Sequence, residues 1–137
     1  MLSTFFKNVL NPLVLRLALA AVFIFHGLDL VQHDGGANWM PGDNPQPAAV
    51  QLAVAWGELL GGVALALGFL TRLAALGLAA IMAGAIATVH LPHGFNIKDG
   101  GFEYNVVILA ICLCLVLGGP GPLAVDRLFR LRRAKQG

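Results

Sequence analysis

Four long apolar stretches constrain this chain more than any other feature of its sequence. They cover residues 13–31, 48–70, 73–91 and 102–118. An apolar stretch of about 18 residues or more can cross a hydrocarbon core about 30 Å thick as a helix. Of the 137 residues, 58% are hydrophobic and only 12% are charged, against roughly 25% charged in an average soluble domain. We therefore predict an all-α integral membrane protein, a four-helix bundle forming one domain over residues 1–137.

The segments between the apolar stretches are typical of loops and helix ends. Residues 34–47, "DGGANWMPGDNPQP", are rich in residues that break helices and favour turns. Only "LTR" separates the second and third stretches, which predicts a tight antiparallel hairpin with Thr71 capping the third helix. The sequence "LPHGFNIKDGG" precedes the fourth stretch, and "GGPGP" ends it.

The distribution of Lys and Arg predicts the orientation in the membrane. Lys7 precedes the first stretch and Arg16 lies near its start, Arg72 follows the second, and five basic residues crowd the C-terminus. The other two loops carry only Lys98. By the positive-inside rule both termini are cytoplasmic, as expected in a bacterial cytoplasmic (inner) membrane. The tail "PLAVDRLFRLRR" is expected to form an amphipathic basic helix against lipid. We predict no nucleic-acid binding, and we expect Arg16 to be an anchor that snorkels to the cytoplasmic surface.

Ionisable residues occur in every apolar stretch or at its end. His26 lies in "FIFHGLDLVQHDGG", Glu58 in the second stretch, His90 at the end of the third, and Glu103 and Tyr104 at the start of the fourth. A rise of about 1.5 Å per residue brings all of them to the outer half of the bundle. A charge at the centre of a membrane helix costs about 2.5–3.5 kcal/mol on insertion scales. Such a convergence predicts either mutual pairing or a binding site.

Glu58 is the most costly of these groups, because it lies near the predicted midplane. It sits in "GELLG", where Gly57 and Gly61 form a GxxxG pattern that allows close helix packing. We expect the carboxyl to be protonated or paired with His26 or Arg16, because desolvation disfavours the anion. A purely structural hydrogen bond between His26 and Glu58 is an alternative.

The other polar residues also have structural interpretations. His90 is tolerated at a membrane interface, Tyr104 suits an aromatic belt, and Glu103 suits a helix N-terminus. A metal site of His26, Glu58 and His90 is conceivable, but no Glu-x-x-His pair supports it, and we predict no metal. Cys112 and Cys114 point about 200° apart on a helix, so they are not expected to form a disulfide.

The sequence resembles the DoxX family of small four-helix membrane proteins across nearly its whole length. The resemblance is carried by "LRLALAAVFIFHGLDL", by "WGELLGGVALALGFLTRLAAL", by His90 and by "GGFEYNVVILAICLCLVLGGPGPLAVD". One departure is Asp29, at a position that is usually basic in the family. The matching positions are Arg16, His26, Gly27, Glu58, Gly61, Thr71, Arg72, His90, Glu103 and Asp126.

The resemblance implies a quinone-linked role, because the family takes its name from a subunit of thiosulfate:quinone oxidoreductase. On that hypothesis the outer pocket binds a quinone through His26, Glu58, His90, Glu103 and Tyr104, and His26 and Glu58 also transfer protons. No haem-like histidine pair or flavin motif is evident, so a partner protein or soluble reductant would supply electrons. The alternative is a non-catalytic structural or assembly subunit, in contact with lipid and with a protein partner or a second copy. A small-solute transporter is a third class, but no inverted repeat supports it.

Overall fold

The computed structural model describes residues 6–40, 42 and 45–128 of the chain. All regular secondary structure in these residues is helical, which confirms the predicted all-α class. The main elements are α1 (Asn11–Gln32), α2 (Ala48–Leu67), α3 (Thr71–Ala85) and α4 (Glu103–Gly118). One π-helical turn, Phe6–Leu10, precedes α1, and another, Ile86–His90, extends α3.

The helix ends follow from local chemistry. Pro12 lies in the first turn of α1, where its missing N–H is not needed. Gly68 ends α2 with φ 68°, the left-handed conformation that favours glycine. The N-terminus of α3 is capped by Asp126, whose carboxylate accepts hydrogen bonds from the backbone N–H of Leu70 at 2.7 Å and of Thr71 at 2.9 Å. The prediction that Thr71 caps α3 is therefore wrong, because a carboxylate from beyond α4 occupies that position.

Each helix packs against the next along the chain, and α4 returns to α1, which closes the bundle. The closest approach is between α1 and α2. A Cβ atom added at Gly27 would lie 2.5 Å from the backbone nitrogen of Leu59, so only glycine fits this crossing. The predicted GxxxG pair serves a different contact. Gly57 and Gly61 of α2 face the side chains of α3, where an added Cβ would lie 2.9 Å from Ile81 or Leu78.

The bundle has an apolar interior and an equally apolar exterior. The core includes Leu19, Phe23, Leu65, Leu78, Cys112 and Leu115. Outward-facing side chains include Phe25, Leu60, Leu73 and Leu117, all more than half exposed. Large apolar residues around the whole perimeter are typical of contact with lipid.

Among the residues that the structure describes, three helical segments are long and apolar enough to cross a membrane: Asn8–Gln32, Ala48–Leu67 and Thr71–His93. Helix α4 is apolar but has only 16 residues, or about 24 Å at the usual rise. The predicted tail helix is described only in part, since residues 125–128 are helical and residues from 129 lie outside the described part.

Arg16 is buried at the end of the bundle where the turn at residues 68–70 meets the segment after α4. Its side chain is 2% exposed and its guanidinium donates four hydrogen bonds to backbone carbonyls. The acceptors are Leu65 (2.9 Å) and Ala66 (3.1 Å) at the end of α2, and Pro120 and Leu123 (2.8 Å each) beyond α4. We call this region the Arg16 end.

The prediction that Arg16 is a snorkelling anchor is therefore wrong, and one of the alternatives given for Glu58 is excluded. The side chain does not snorkel to the surface, because the last carbonyls of α2 and the chain after α4 bind it inside the bundle. Nor does it pair with Glu58. Seven residues separate Glu58 from Leu65 along α2, about 10 Å at the helical rise.

Candidate functional site

A cavity of about 510 Å³ opens between the helices at the end of the bundle opposite Arg16. Its walls are mainly apolar and include Phe23, Val54, Ile81, Met82 and Ile108. The polar groups that line it are His26, Glu58, Thr88, His90, Tyr104 and Asn105, together with Trp39 and Gln46 of the α1–α2 loop. All four helical segments therefore contribute polar groups to one space, which we call the cavity end.

The helical repeat explains why these side chains point inward. The buried face of α2 consists of Gln51, Ala55, Glu58, Gly62 and Leu65, spaced three or four residues apart. On α4 the buried face is Asn105, Ile108, Cys112 and Leu115. Residues at this spacing lie on one side of a helix. Glu58 and Asn105 thus continue the apolar core toward the cavity end.

Glu58 is buried without a bonded partner. It is 6% exposed, and no described group forms a hydrogen bond or ion pair with its carboxyl. A buried polar group without a hydrogen bond costs free energy unless something else satisfies it. The carboxyl is therefore a candidate for binding a polar group of a ligand or a water molecule.

His26 lies on the same cavity as Glu58 and is more exposed. Its ring makes an edge contact with Phe25, at a centroid distance of 5.9 Å and an interplanar angle of 89°. The described structure has no hydrogen bond between His26 and Glu58, so the two side chains share the cavity without a direct bond. Both imidazole nitrogens of His26 are thus available to a ligand.

Of the remaining predicted binding residues, His90 and Tyr104 line the cavity and Glu103 does not. His90 lines the cavity, and its Nδ1 lies 2.7 Å from the carbonyl oxygen of Gly100. A carbonyl only accepts, so Nδ1 carries the proton and Nε2 is left for other contacts. Tyr104 also lines the cavity. Glu103 does not, because its Oε2 accepts a hydrogen bond from the backbone N–H of Ile97 at 3.2 Å and so holds the loop before α4.

One side of the cavity is covered by the α1–α2 loop, which Gln51 holds in place. The Gln51 Oε1 atom accepts from the backbone N–H groups of Trp39 and Met40, both at 2.9 Å. Its Nε2 donates to the carbonyl of Gln46 at 2.7 Å, and its own carbonyl accepts from Trp39 Nε1 at 2.9 Å. Gln51 is 3% exposed. It therefore positions the loop residues that line the cavity.

Sequence reasoning did not identify Gln51 and did not include Asn105 among the binding residues. The spacing of both residues in the sequence nevertheless indicates that they face inward. Gln51 is seven residues before Glu58, and Asn105 is three before Ile108 and seven before Cys112, so each shares the helix face of a known inward residue. Asn105 is buried, and its Nδ2 donates to the sulfur of Met82 at 3.5 Å.

The described residues bring no three His, Cys, Asp or Glu side chains close enough together to hold a metal ion. His26, Glu58 and His90 share the cavity without forming such a group. Both cysteines are free, with Cys112 buried in the core and Cys114 exposed. The functional groups of the site are therefore a carboxyl, two imidazoles, a phenol and an amide in an apolar enclosure, which can bind a polar head group and exchange protons with it.

Comparison with known proteins identifies the family. The chain is 31% identical over 127 residues to an uncharacterized protein of Haemophilus influenzae, covering 86% of this chain and 82% of that one. It is 32% identical over 117 residues to a Bacillus subtilis protein named "Putative oxidoreductase CatD", covering 85% of each. No solved structure matches the chain significantly. The DoxX family profile matches residues 11–91, more than half of the sequence. With its apolar helices, this integral membrane protein belongs to the DoxX family.

Proposed function

We propose that the protein is a membrane subunit of a quinone-linked oxidoreductase and that the cavity binds the quinone head group. The observation that carries the proposal is the Glu58 carboxyl, which has no partner among the described residues and lines a mainly apolar cavity together with His26. A group that is costly to bury and is not used in folding is expected to be used in binding.

The cavity suits a quinone in size and chemistry. Small-molecule sites typically enclose about 300–1,000 Å³ and combine apolar walls with a few polar groups, and this cavity of about 510 Å³ falls within that range. A quinone ring is flat and apolar and carries carbonyl oxygens that accept hydrogen bonds. Imidazole N–H, phenol O–H and protonated carboxyl groups are suitable donors. His26, Tyr104 and Glu58 provide these three types on different helices.

Reduction of a quinone to a quinol takes up two electrons and two protons. We assign the protons to His26 and Glu58, because both line the cavity and neither side chain has a hydrogen bond to another described group. His90 would orient the head group through Nε2, since its Nδ1 is bound to Gly100. The electrons would come from a partner protein or a soluble reductant. The printed name of the Bacillus subtilis relative supports an oxidoreductase role.

The test is quinone retention by purified variants. Wild-type protein, His26→Ala and Glu58→Gln are purified in mild detergent, incubated with a soluble ubiquinone analogue, and compared for bound quinone and for unfolding temperature. We expect both variants to remain folded and to lose at least tenfold in quinone affinity, which corresponds to about 1.4 kcal/mol.

Two matched variants act as controls. His33→Ala and Asp29→Asn remove the same kinds of group from exposed positions that do not line the cavity, and we expect both to retain quinone. Equal loss of quinone in the controls, or no saturable binding by folded wild-type protein, would contradict the proposal.

A structural or assembly subunit is the alternative function, and two cavity residues favour it. His90 is bound to the Gly100 carbonyl and Asn105 contacts the Met82 sulfur, so both already stabilise the bundle. If His26→Ala and Glu58→Gln instead unfold the protein while the wild type binds no quinone, this alternative is supported.

We propose further that the cavity end faces the outside of a bacterial cytoplasmic membrane and that both termini are cytoplasmic. The support is the excess of Lys and Arg at the Arg16 end and in the tail. Cysteine labelling tests this in a background lacking Cys112 and Cys114. A cysteine at Asn38, which is exposed in the α1–α2 loop, should react with an impermeant reagent from outside intact cells. Labelling of that cysteine only from the cytoplasmic side would reverse the topology.

A further inference from the structure

A second cavity, of about 350 Å³, lies at the Arg16 end of the bundle. It is lined by Arg72 at the start of α3, by Arg127, and by the "GGPGP" segment that follows α4. The segment is held in place, because the Arg16 guanidinium binds the carbonyls of Pro120 and Leu123. The cavity is therefore a formed feature of the bundle and is separate from the proposed quinone site.

The two arginines of this cavity have no acidic partner among the described residues. Arg72 makes one long hydrogen bond, 3.3 Å from its Nη2 to the Leu117 carbonyl, and the side chain of Arg127 has none within the described structure. Asp126, the nearest carboxylate in sequence, is occupied by the backbone N–H groups of Leu70 and Thr71. Two positive charges thus face one cavity, and no carboxylate of the described residues pairs with them.

The surroundings of the cavity match the boundary between hydrocarbon and head groups. Leu73 and Leu117 lie one turn or less from Arg72 and Gly118, and they are 64% and 79% exposed. Leu123 and Leu128 lie next to Pro122 and Arg127 in the sequence and are also exposed. Apolar side chains beside a cationic pocket provide contacts for both the acyl chains and the phosphate of a lipid.

We propose that this cavity binds the phosphodiester group of an anionic phospholipid. The guanidinium groups of Arg72 and Arg127 would bind the phosphate oxygens, since arginine presents several donors that match phosphate geometry. The Gly-Pro-Gly segment forms one wall of the cavity, where Gly119 lies so close to Arg72 that an added Cβ would be 3.3 Å from its Nη2. The exposed leucines would contact the acyl chains. A membrane lipid is favoured over a free phosphate ion because these leucines place the cavity where lipids are concentrated.

The experiment measures lipid selectivity in the full-length protein. Purified protein in mixed micelles with equal amounts of phosphatidylglycerol and phosphatidylcholine is examined by native mass spectrometry, and retained lipids are counted. We expect wild-type protein to retain phosphatidylglycerol preferentially. Arg72→Gln and Arg127→Gln should each reduce that preference about fivefold, the effect of one basic residue near an anionic lipid surface.

Lys98→Gln is the matched control, because it removes one positive charge from the opposite end of the bundle. It should leave the preference unchanged. If Arg72→Gln does not fold, Arg127→Gln still tests the lipid site. The side chain of Arg127 has no bond to another described residue, so we expect this variant to fold. Equal retention of both lipids by the wild type, or an equal loss in Lys98→Gln, would overturn the proposal. Displacement of the lipid by inorganic phosphate at equal concentration would overturn the assignment to a lipid.

Discussion

The two ends of the bundle bury their ionisable groups in opposite ways. At the Arg16 end the guanidinium is 2% exposed and donates four hydrogen bonds, while Asp126 accepts two from the start of α3. At the cavity end Glu58 is 6% exposed and its carboxyl has no bond to any group in the described part of the chain. The two ionisable side chains are buried to a similar degree, but among the described residues only Arg16 has hydrogen-bond partners.

This difference separates structural from functional polar groups. A buried charge that binds backbone carbonyls at the end of one helix and beyond another fixes how those segments meet, so its role is complete in the folded protein. A buried carboxyl with an adjacent cavity has remaining hydrogen-bonding capacity. Gln51 shows that the end of the bundle at which a polar group lies does not by itself decide whether its role is structural. Gln51 lies at the cavity end, yet its side chain is hydrogen-bonded to the α1–α2 loop.

The largest effect on stability is expected at the Arg16 end. Arg16→Met should lower the free energy of unfolding by about 3 kcal/mol or more, because four buried backbone carbonyls lose their cationic hydrogen-bond donor. Denaturant unfolding in neutral detergent measures this. Arg72→Met, which removes only one long hydrogen bond, is the control and should cost less than about 1 kcal/mol. An Arg16→Met protein as stable as wild type would remove the basis of the comparison.

An intermediate effect on stability is expected at Gln51, the hydrogen-bonded side chain at the cavity end. Gln51→Leu leaves the N–H groups of Trp39 and Met40 without an acceptor, which should cost about 1–2 kcal/mol. Hydrogen exchange should show faster exchange at these two amides, with α3 and α4 unchanged. Gln32→Leu, at an exposed position at the end of α1, should change neither measurement. Unchanged exchange at Trp39 and Met40 would show that Gln51 does not hold the loop.

The smallest effect on stability is expected for Glu58→Gln. The variant keeps the shape of the side chain and breaks no bond to another described residue, so unfolding should change by no more than about 1 kcal/mol. Denaturant unfolding in neutral detergent measures this change, and the result is compared with that for Arg16→Met. A loss as large as that of Arg16→Met would place Glu58 in the structural class and would count against the proposed ligand site.

The sequence predicted most of the bundle because lipid requires continuous apolar helices. The predicted stretches 13–31 and 48–70 became Asn11–Gln32 and Ala48–Leu67, and Gly68 ends α2 as a glycine in the left-handed conformation should. The stretches 73–91 and 102–118 correspond to α3 with its π-helical extension and to α4. Differences of two or three residues at the ends follow from caps, such as that from Asp126, which come from distant parts of the chain.

The sequence also determined that polar groups from every helical segment meet at one end, because helical rise alone fixes their depth. Only the tertiary structure decided which side of each helix faces inward. In a membrane bundle the lipid-facing side is as apolar as the core, so hydropathy does not distinguish Leu115, which is buried, from Leu117, which is 79% exposed. For the same reason only the structure shows that Arg16 is bound by four carbonyls while Glu58 faces a cavity, since hydrogen bonding depends on backbone groups brought together from segments about 50 to 100 residues apart.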